Sequence, residues 1–325
     1  MLGKPWKQAC AVAIVIAAGC ATAIAQDYPS RPMRLVVPFV AGGSSDVLAR
    51  SVAKAMSEGL GQPMIVDNRP GAGGSVGAEV VAHALPDGYT ILFGTIGTHG
   101  IGPALYKDLN YDAVKDFAPV GLLHKLPNVL IVNPSIPATN LRELIDYARS
   151  RPGQLTFASA GYGSVSHLAG ELFKAAANID IVHVPYKGGG AAVPDLVSGR
   201  VSMMLETIPN ALAMAHNGMV RMLAVTTPTR SAAAPDLPTF AESGLPDFDV
   251  SSWTGLFLPA GTPPSIIERL NAETVRITHD PAYLEQLKTM GTDAASSTPE
   301  AFGAFVRKEI ANWTEAVRRS GAHVE

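Results

Sequence analysis

From residue 33 onward one pattern recurs in this chain: a short β-branched run, a turn rich in glycine, serine and threonine, then an alanine-rich amphipathic run. Met33–Val37 leads through Pro38–Asp46 into Val47–Leu60, where Leu48, Val52, Met56 and Leu60 fall on one helical face. Met64–Val66, the turn Pro70–Ser75 and Val76–Ala84 repeat it, and Thr90–Phe93 runs on into Gly94–His99. Such alternation specifies βαβ units around a mainly parallel sheet, because parallel strands need a crossover connection.

A second series begins after the proline-bounded run Pro127–Pro134. Leu155–Ser159 leads through Gly161–Ser164 to a helix near Ser166–Ala177, and Ile181–Pro185 leads through Lys187–Gly190 to a helix near Val193–Ser198. Val201–Leu205 and Arg221–Thr226 complete it. At 325 residues the chain exceeds the size at which one core keeps growing, so an α/β fold of two lobes is expected, each a mainly parallel sheet flanked by helices. Val129–Val132 and Ser252–Pro259 are expected to cross between the lobes as two hinge strands, with helical material following to the C-terminus. The expected division is 26–124 with 253–325 as the first lobe and 125–252 as the second.

Lys4 and Lys7 precede the apolar run Ala11–Ala18, and Ala23-Ile24-Ala25 supplies a small-residue cleavage site, so residues 1–25 read as a signal peptide for export. Both cysteines, Cys10 and Cys20, fall inside it, which leaves the mature chain without disulfides or thiols. Ala17-Ala18-Gly19-Cys20 also resembles a lipobox, making lipid anchoring at Cys20 the alternative to the soluble periplasmic form that the well-formed Ala25 site favours. A net charge of -3 gives no basic footprint for nucleic acid.

Pro38–Asp46 carries the strongest chemical signal. A strand that stops at Gly42-Gly43, passes through Ser44-Ser45 and opens a helix at Asp46 leaves unpaired N–H groups aimed at one point, which suits an anion. Asp46 also fits an ordinary N-cap. The other glycine-rich turns are less specific. Gly71–Gly77 has its third glycine one residue too late for a dinucleotide fingerprint, Lys187–Gly190 lacks the order of a phosphate-binding P-loop, and the histidines form no H-E-x-x-H. Neither a cofactor nor a metal is expected. Ser159, Ser164 and Ser166 stand near His167 but without a G-x-S-x-G elbow. They read as caps and ligand donors, with His167 either entering the cleft or bracing the helix. A secreted hydrolase using Ser164 and His167 is the rival reading.

The ordered blocks Tyr28–Pro32, Val37-Pro38-Phe39 with Gly42-Gly43 and Asp46, Asn68–Gly74, Pro86–Thr90, His167–Phe173, His183–Gly188, Leu223–Thr226 and Pro259–Pro263 resemble the Bug family, the extracytoplasmic solute receptors of tripartite tricarboxylate transporters. The resemblance implies a two-lobed, type II-like periplasmic binding protein, monomeric and without catalytic activity. It would close on a small carboxylated ligand and deliver it to membrane permease subunits. It also implies a ligand shell of Phe39, Ala41, Gly42, Ser44 and Asp46 on one side and Ser159, Ala160, Gly161 and Ser164 on the other. Thr95, His99, Tyr186 and Glu206 would line the variable end.

Four positions depart from the family pattern: Val40 and Ala41 where Pro-Pro is common, Tyr162 where a smaller residue is usual, and Glu206 where an aspartate is frequent. Glu206 is expected to face the cleft and disfavour a second ligand carboxylate, or else to cap the helix near Asn210. A ligand sensor for a receptor kinase is a third reading of the same architecture.

Overall fold

The computed structural model describes residues 28–320 except 163, 187 and 188, so the leader with Cys10 and Cys20, and Lys187, lie outside the described residues. Strand β1 (Met33–Val37) is followed by α1 (Ser44–Leu60), β2 (Met64–Asn68), α2 (Ser75–Ala82) and β3 (Thr90–Thr95). A π-type turn over Gly97–Ile101 and the short α3 (Gly102–Leu105) lead to β4 (Phe117–Leu126).

The second series runs β5 (Asn128–Val132), α4 (Leu141–Arg149), β6 (Leu155–Ser159), α5 (Val165–Ala177), β7 (Ile181–Pro185), α6 (Gly189–Val197), β8 (Met203–Thr207), α7 (Ile208–His216) and β9 (Arg221–Val225). After it come β10 (Ser252–Pro259), α8 (Pro264–Thr278), α9 (Pro281–Thr289), β11 (Asp293–Ala294) and α10 (Pro299–Ser320).

The strands form two sheets, ordered β11-β4-β10-β3-β1-β2 and β7-β6-β8-β5-β9. Parallel pairing, as the repeat predicts, joins β2, β1 and β3 in the first sheet and β7, β6 and β8 in the second. The strands nearest the passage between sheets, β10, β4 and β5, pair antiparallel. The βαβ arrangement puts the C-terminal ends of the parallel strands, and the helix N-termini that follow them, on one edge of each sheet.

Packing explains the alternation. Helix α1 buries Leu48, Val52, Met56 and Leu60 against Leu35, Phe93 and Leu256 of the first sheet. Each such side chain contributes about 1.5–3 kcal/mol when fully removed from water. Gly61 ends α1 in the left-handed conformation, its N–H returning to Ser57 O. A separate apolar cluster joins residues of both sheets: Phe302, Val306 and Trp313 of α10 belong with Leu168 and Phe173 of α5.

Three expectations change in detail. Neither Val129–Val132 nor Ser252–Pro259 crosses between the sheets; β5 lies inside the second sheet, between β8 and β9, and β10 inside the first, between β4 and β3. The chain passes instead at Pro127, between Leu126 (paired with Ser252) and Asn128 (paired with Thr207), and returns near Val250, whose N–H donates to Thr226 O. Strand β8 begins at Met203, because Val201 is held by its N–H on Asp195 O in the turn after α6. The strand–turn–helix pattern also fails to predict β4, which has Val120 as its single β-branched residue between Pro119 and Gly121, and α4, whose buried face is Leu141, Leu144, Ile145 and Ala148.

Candidate ligand-binding site

The loop after β1 is shaped by Asp46. It is the third residue of α1, behind the N-cap Gly43, so the N-cap reading of the sequence does not hold. No side chain caps Gly43's helix. The carboxylate of Asp46, only 3% exposed, turns back into the loop. Its Oδ2 accepts from Gly42 N and Arg50 Nε, both at 2.9 Å, and its Oδ1 accepts from Asn68 Nδ2 at 2.9 Å. These partners, Arg50 foremost, bring its pKa down to about 2 against the cost of burial. Asn68 Nδ2 also donates to Phe39 O at 3.1 Å, fixing the other arm of the loop. Gly42 sits at φ +83°, a conformation that L side chains rarely adopt. Asp46 thus holds the loop and leaves the first turn of α1 facing outward.

The loop after β6 is held from within. Ser164 is the N-cap of α5: its Oγ accepts from His167 N at 3.2 Å and donates to Gly161 O at 2.6 Å. Ala160 N donates to Ser166 Oγ, and Gly161 N to Ser159 Oγ. Ser159, fully buried, pairs with His183 Nε2 at 2.6 Å. The rings of His183 and His167 stack at 4.0 Å, with Tyr162 edge-on to both. Burial first, and then the neighbouring His167, lower the His183 pKa to about 4. His167 is 3% exposed and braces this stack.

Ser164 therefore spends its hydroxyl on backbone groups, which is a capping arrangement and not that of a nucleophile beside a base. The serine that does meet an imidazole, Ser159, has no exposed surface for a substrate to reach.

Between these loops lies a cavity of about 350 Å³. Phe39, Ser44 and Ser45 line it from the β1 loop, Thr95, Ile96 and Gly97 from the β3 loop, and Ser164 and Val165 from the start of α5. Leu126, Asn128, Thr207, Trp253 and Thr254 form its floor where the chain passes between the sheets, and Ile101, Leu105 and Tyr106 close one side. Among the described residues no charged side chain lines it.

Of the thirteen residues that the resemblance implies, the structure brings four onto the cavity: Phe39, Ser44, Thr95 and Ser164. Ala41 and Gly42 are exposed in the β1 loop, and Ala160 and Gly161 stand in the β6 turn beside Ser164. Asp46 and Ser159 hold these loops from behind.

His99, Tyr186 and Glu206 are elsewhere. His99 is fully buried, stacked on Phe257 at 3.9 Å, and burial takes its pKa down to about 3, so it belongs to the aromatic core behind the wall. Tyr186 Oη donates to Asp195 Oδ2 at 2.8 Å. Glu206 Oε1 accepts from Thr207 N at 2.7 Å, Thr207 Oγ1 at 3.0 Å and Asn210 Nδ2 at 3.3 Å, which is the helix-capping alternative. Asn128, Thr207 and Thr254 are absent from the sequence reading; only strand register, which pairs Thr95 with Thr254 and Asn128 with Thr207, reveals them together.

Residues 48–322 match the family described as tripartite tricarboxylate transporter family receptor. The chain belongs to this family. Protein BugT of Bordetella pertussis is 37% identical over 96% of both chains. Among solved structures, R. palustris Rpa4515 with adipate is 37% identical with a TM-score of 0.76, covering 91% of this chain and 99% of the other. MatC (Rpa3494) from Rhodopseudomonas palustris with bound malate is 38% identical with a TM-score of 0.71, covering 89% and 100%. The receptor family is one of periplasmic solute-binding proteins, not enzymes, and the fold of two α/β sheets flanked by helices is theirs. The chain is accordingly a Bug-type solute receptor.

Proposed function

We propose that this receptor captures a small carboxylated molecule in the cavity between its two sheets and delivers it, as a periplasmic protein exported by its signal peptide, to the membrane permease subunits of a tripartite tricarboxylate transporter. One observation supports the carboxylate above others. The N-terminal turns of α1 and α5, one from each sheet, meet across a cavity that no charged side chain lines among the described residues. Backbone N–H groups and helix dipoles then supply the positive potential, with Ser44 and Ser45 as hydroxyl donors. The adipate and malate held by related receptors fit the same chemistry.

Because the two sides of the shell come from different sheets, closure about the two passages near Pro127 and Val250 completes the site. The test is a thermal-shift panel of mono-, di- and tricarboxylates against esters and amines of the same skeletons, with mass-spectrometric recovery of the bound compound. A ligand that binds only the folded protein raises its melting temperature by mass action. Stabilisation by acids and recovery of the intact acid are expected; stabilisation by esters or amines alone, or recovery of an altered compound, refutes the reading.

A further inference from the structure

The glycine-rich turn Ala72–Gly74, between β2 and α2, packs against the cavity wall. A Cβ on Gly73 would stand 2.8 Å from Tyr106 Oη and 3.3 Å from its Cε2. One on Gly74 would stand 2.8 Å from Thr98 Cγ2 and 3.5 Å from Phe39 Cζ. The same Phe39 atom lies 3.8 Å from the Cβ position of Gly97, and Gly73 O lies 3.1 Å from that position. Phe39, Gly97, Gly73 and Tyr106 are therefore contiguous, and all four line the cavity. Glycine stands in this turn because aromatic rings close onto its backbone, where a side chain would displace them.

Ile101 and Leu105 continue this wall. The side chains of Phe39, Ile101 and Leu105 carry no hydrogen-bonding group, and Tyr106 carries one only at its tip, which rests at Gly73. A ligand body laid on such a wall is held by the apolar area removed from water. A hydroxyl on that body gives up its hydration and finds no partner on the wall.

We infer that the acid held by this receptor has an apolar body, ring or chain, that lies on the wall of Phe39, Ile101, Leu105 and Tyr106, and that the turn at Gly73-Gly74 sets this selectivity by seating the two aromatic rings. This rests on the receptor function proposed above. It concerns the body alone and holds equally for acids with one carboxylate or two.

Isothermal titration against matched pairs tests this: hexanoate with gluconate, adipate with galactarate, benzoate with shikimate. Each pair keeps the number of carboxylates and carbons and differs in the hydroxyls on the body. In every pair that binds, the apolar member is expected to bind about ten-fold or more tightly, roughly 1.4 kcal/mol. Tyr106→Ala should shrink that preference. Gly73→Ala should weaken binding of the apolar acid about ten-fold. Adding Tyr106→Phe, which removes the atom 2.8 Å from the new Cβ, should recover most of the loss, because the backbone cost at φ +63° is common to both variants. A polyhydroxylated acid that binds as tightly as its partner, or more tightly, overturns the inference and leaves the receptor function standing. So does an apolar preference unchanged in a Tyr106→Ala protein that melts cooperatively, or a Gly73→Ala loss that Tyr106→Phe does not relieve. Failure of all six acids overturns the inference and the carboxylate reading with it.

Discussion

Replacing Asp46 by asparagine should weaken ligand binding and the fold together, for a reason set by donor count. Three N–H donors converge on this carboxylate: Gly42 N and Arg50 Nε on one oxygen, Asn68 Nδ2 on the other. An asparagine has one acceptor oxygen. If that oxygen takes the side of Gly42 and Arg50, its NH₂ meets the NH₂ of Asn68, and Asn68 cannot turn over without setting its own oxygen against Phe39 O. If it takes the side of Asn68, the NH₂ meets two donors. Either way at least one hydrogen bond to a charged acceptor is lost, at about 1.5–3 kcal/mol.

The expected result is a fall of about 2 kcal/mol in urea stability. An affinity loss of about ten-fold for the best-bound acid should accompany it, since the loop that presents α1 is no longer fixed. The pH dependence supplies a check. The Asp46 carboxyl is lowered from 3.8 to about 2 in the folded chain, so its stabilisation is present in full above the unfolded value and is lost as pH falls through about 2. The stability difference between wild type and Asp46→Asn should be constant at neutral pH and shrink below about pH 4. A variant as stable as wild type at pH 7, with the same affinity, would refute the assignment of Asp46 as the residue that holds this loop.

Three further outcomes can be measured. Gly42→Val places its Cβ in open space but forces a β-branched residue to φ +83°, so the melting temperature should fall and calorimetry on the folded protein should show about ten-fold weaker binding; unchanged affinity would remove this loop from the site. Ser164→Ala deletes the cap on His167 N and the bond to Gly161 O, which should cost about 1 kcal/mol in urea unfolding and lower affinity as well; a variant that loses stability alone would make Ser164 purely structural. Small-angle scattering should show a smaller radius of gyration with saturating acid than without it, and superimposable curves would argue against closure.

The repeated strand–turn–helix units were readable because each obeys local rules: β-branched runs for strands, four-residue apolar spacing for α1, glycine and hydroxyl residues in the turns. The β1 loop was readable for the same reason, since everything that shapes it except Asn68 lies within a few residues of Gly42. The floor was not. Thr95 and Thr254 are 159 positions apart, and their meeting depends on an antiparallel register that neither local sequence specifies. His99 and Glu206 show how partners distant or local decide a side chain's place: His99, assigned to the variable end only by the resemblance, stacks on Phe257, and Glu206 takes the helix-capping alternative with Thr207 and Asn210.

The absence of a charged lining among the described residues bears on how such a receptor can both capture and release. An arginine on one wall would attract a carboxylate to the open cleft nearly as strongly as to the closed one. Helix N-termini contributed from two sheets would act together only when both face the ligand, so the proposed site ties affinity to closure, and opening would remove half of the shell in one movement. The rear of the molecule suits that movement. Phe302, Val306 and Trp313 of α10 share one apolar cluster with Leu168 and Phe173 of α5, which holds the two sheets together behind the cavity. Glu309, on the same helix, accepts from Trp253 Nε1 at 2.8 Å and from Trp313 Nε1 at 3.2 Å, so the indole that lines the cavity floor is fixed to the helix that spans the back. With the rear and the floor tied to one helix, the proposed rotation about Pro127 and Val250 would act most at the lip, where the β1 and β6 loops carry the groups proposed to hold the acid.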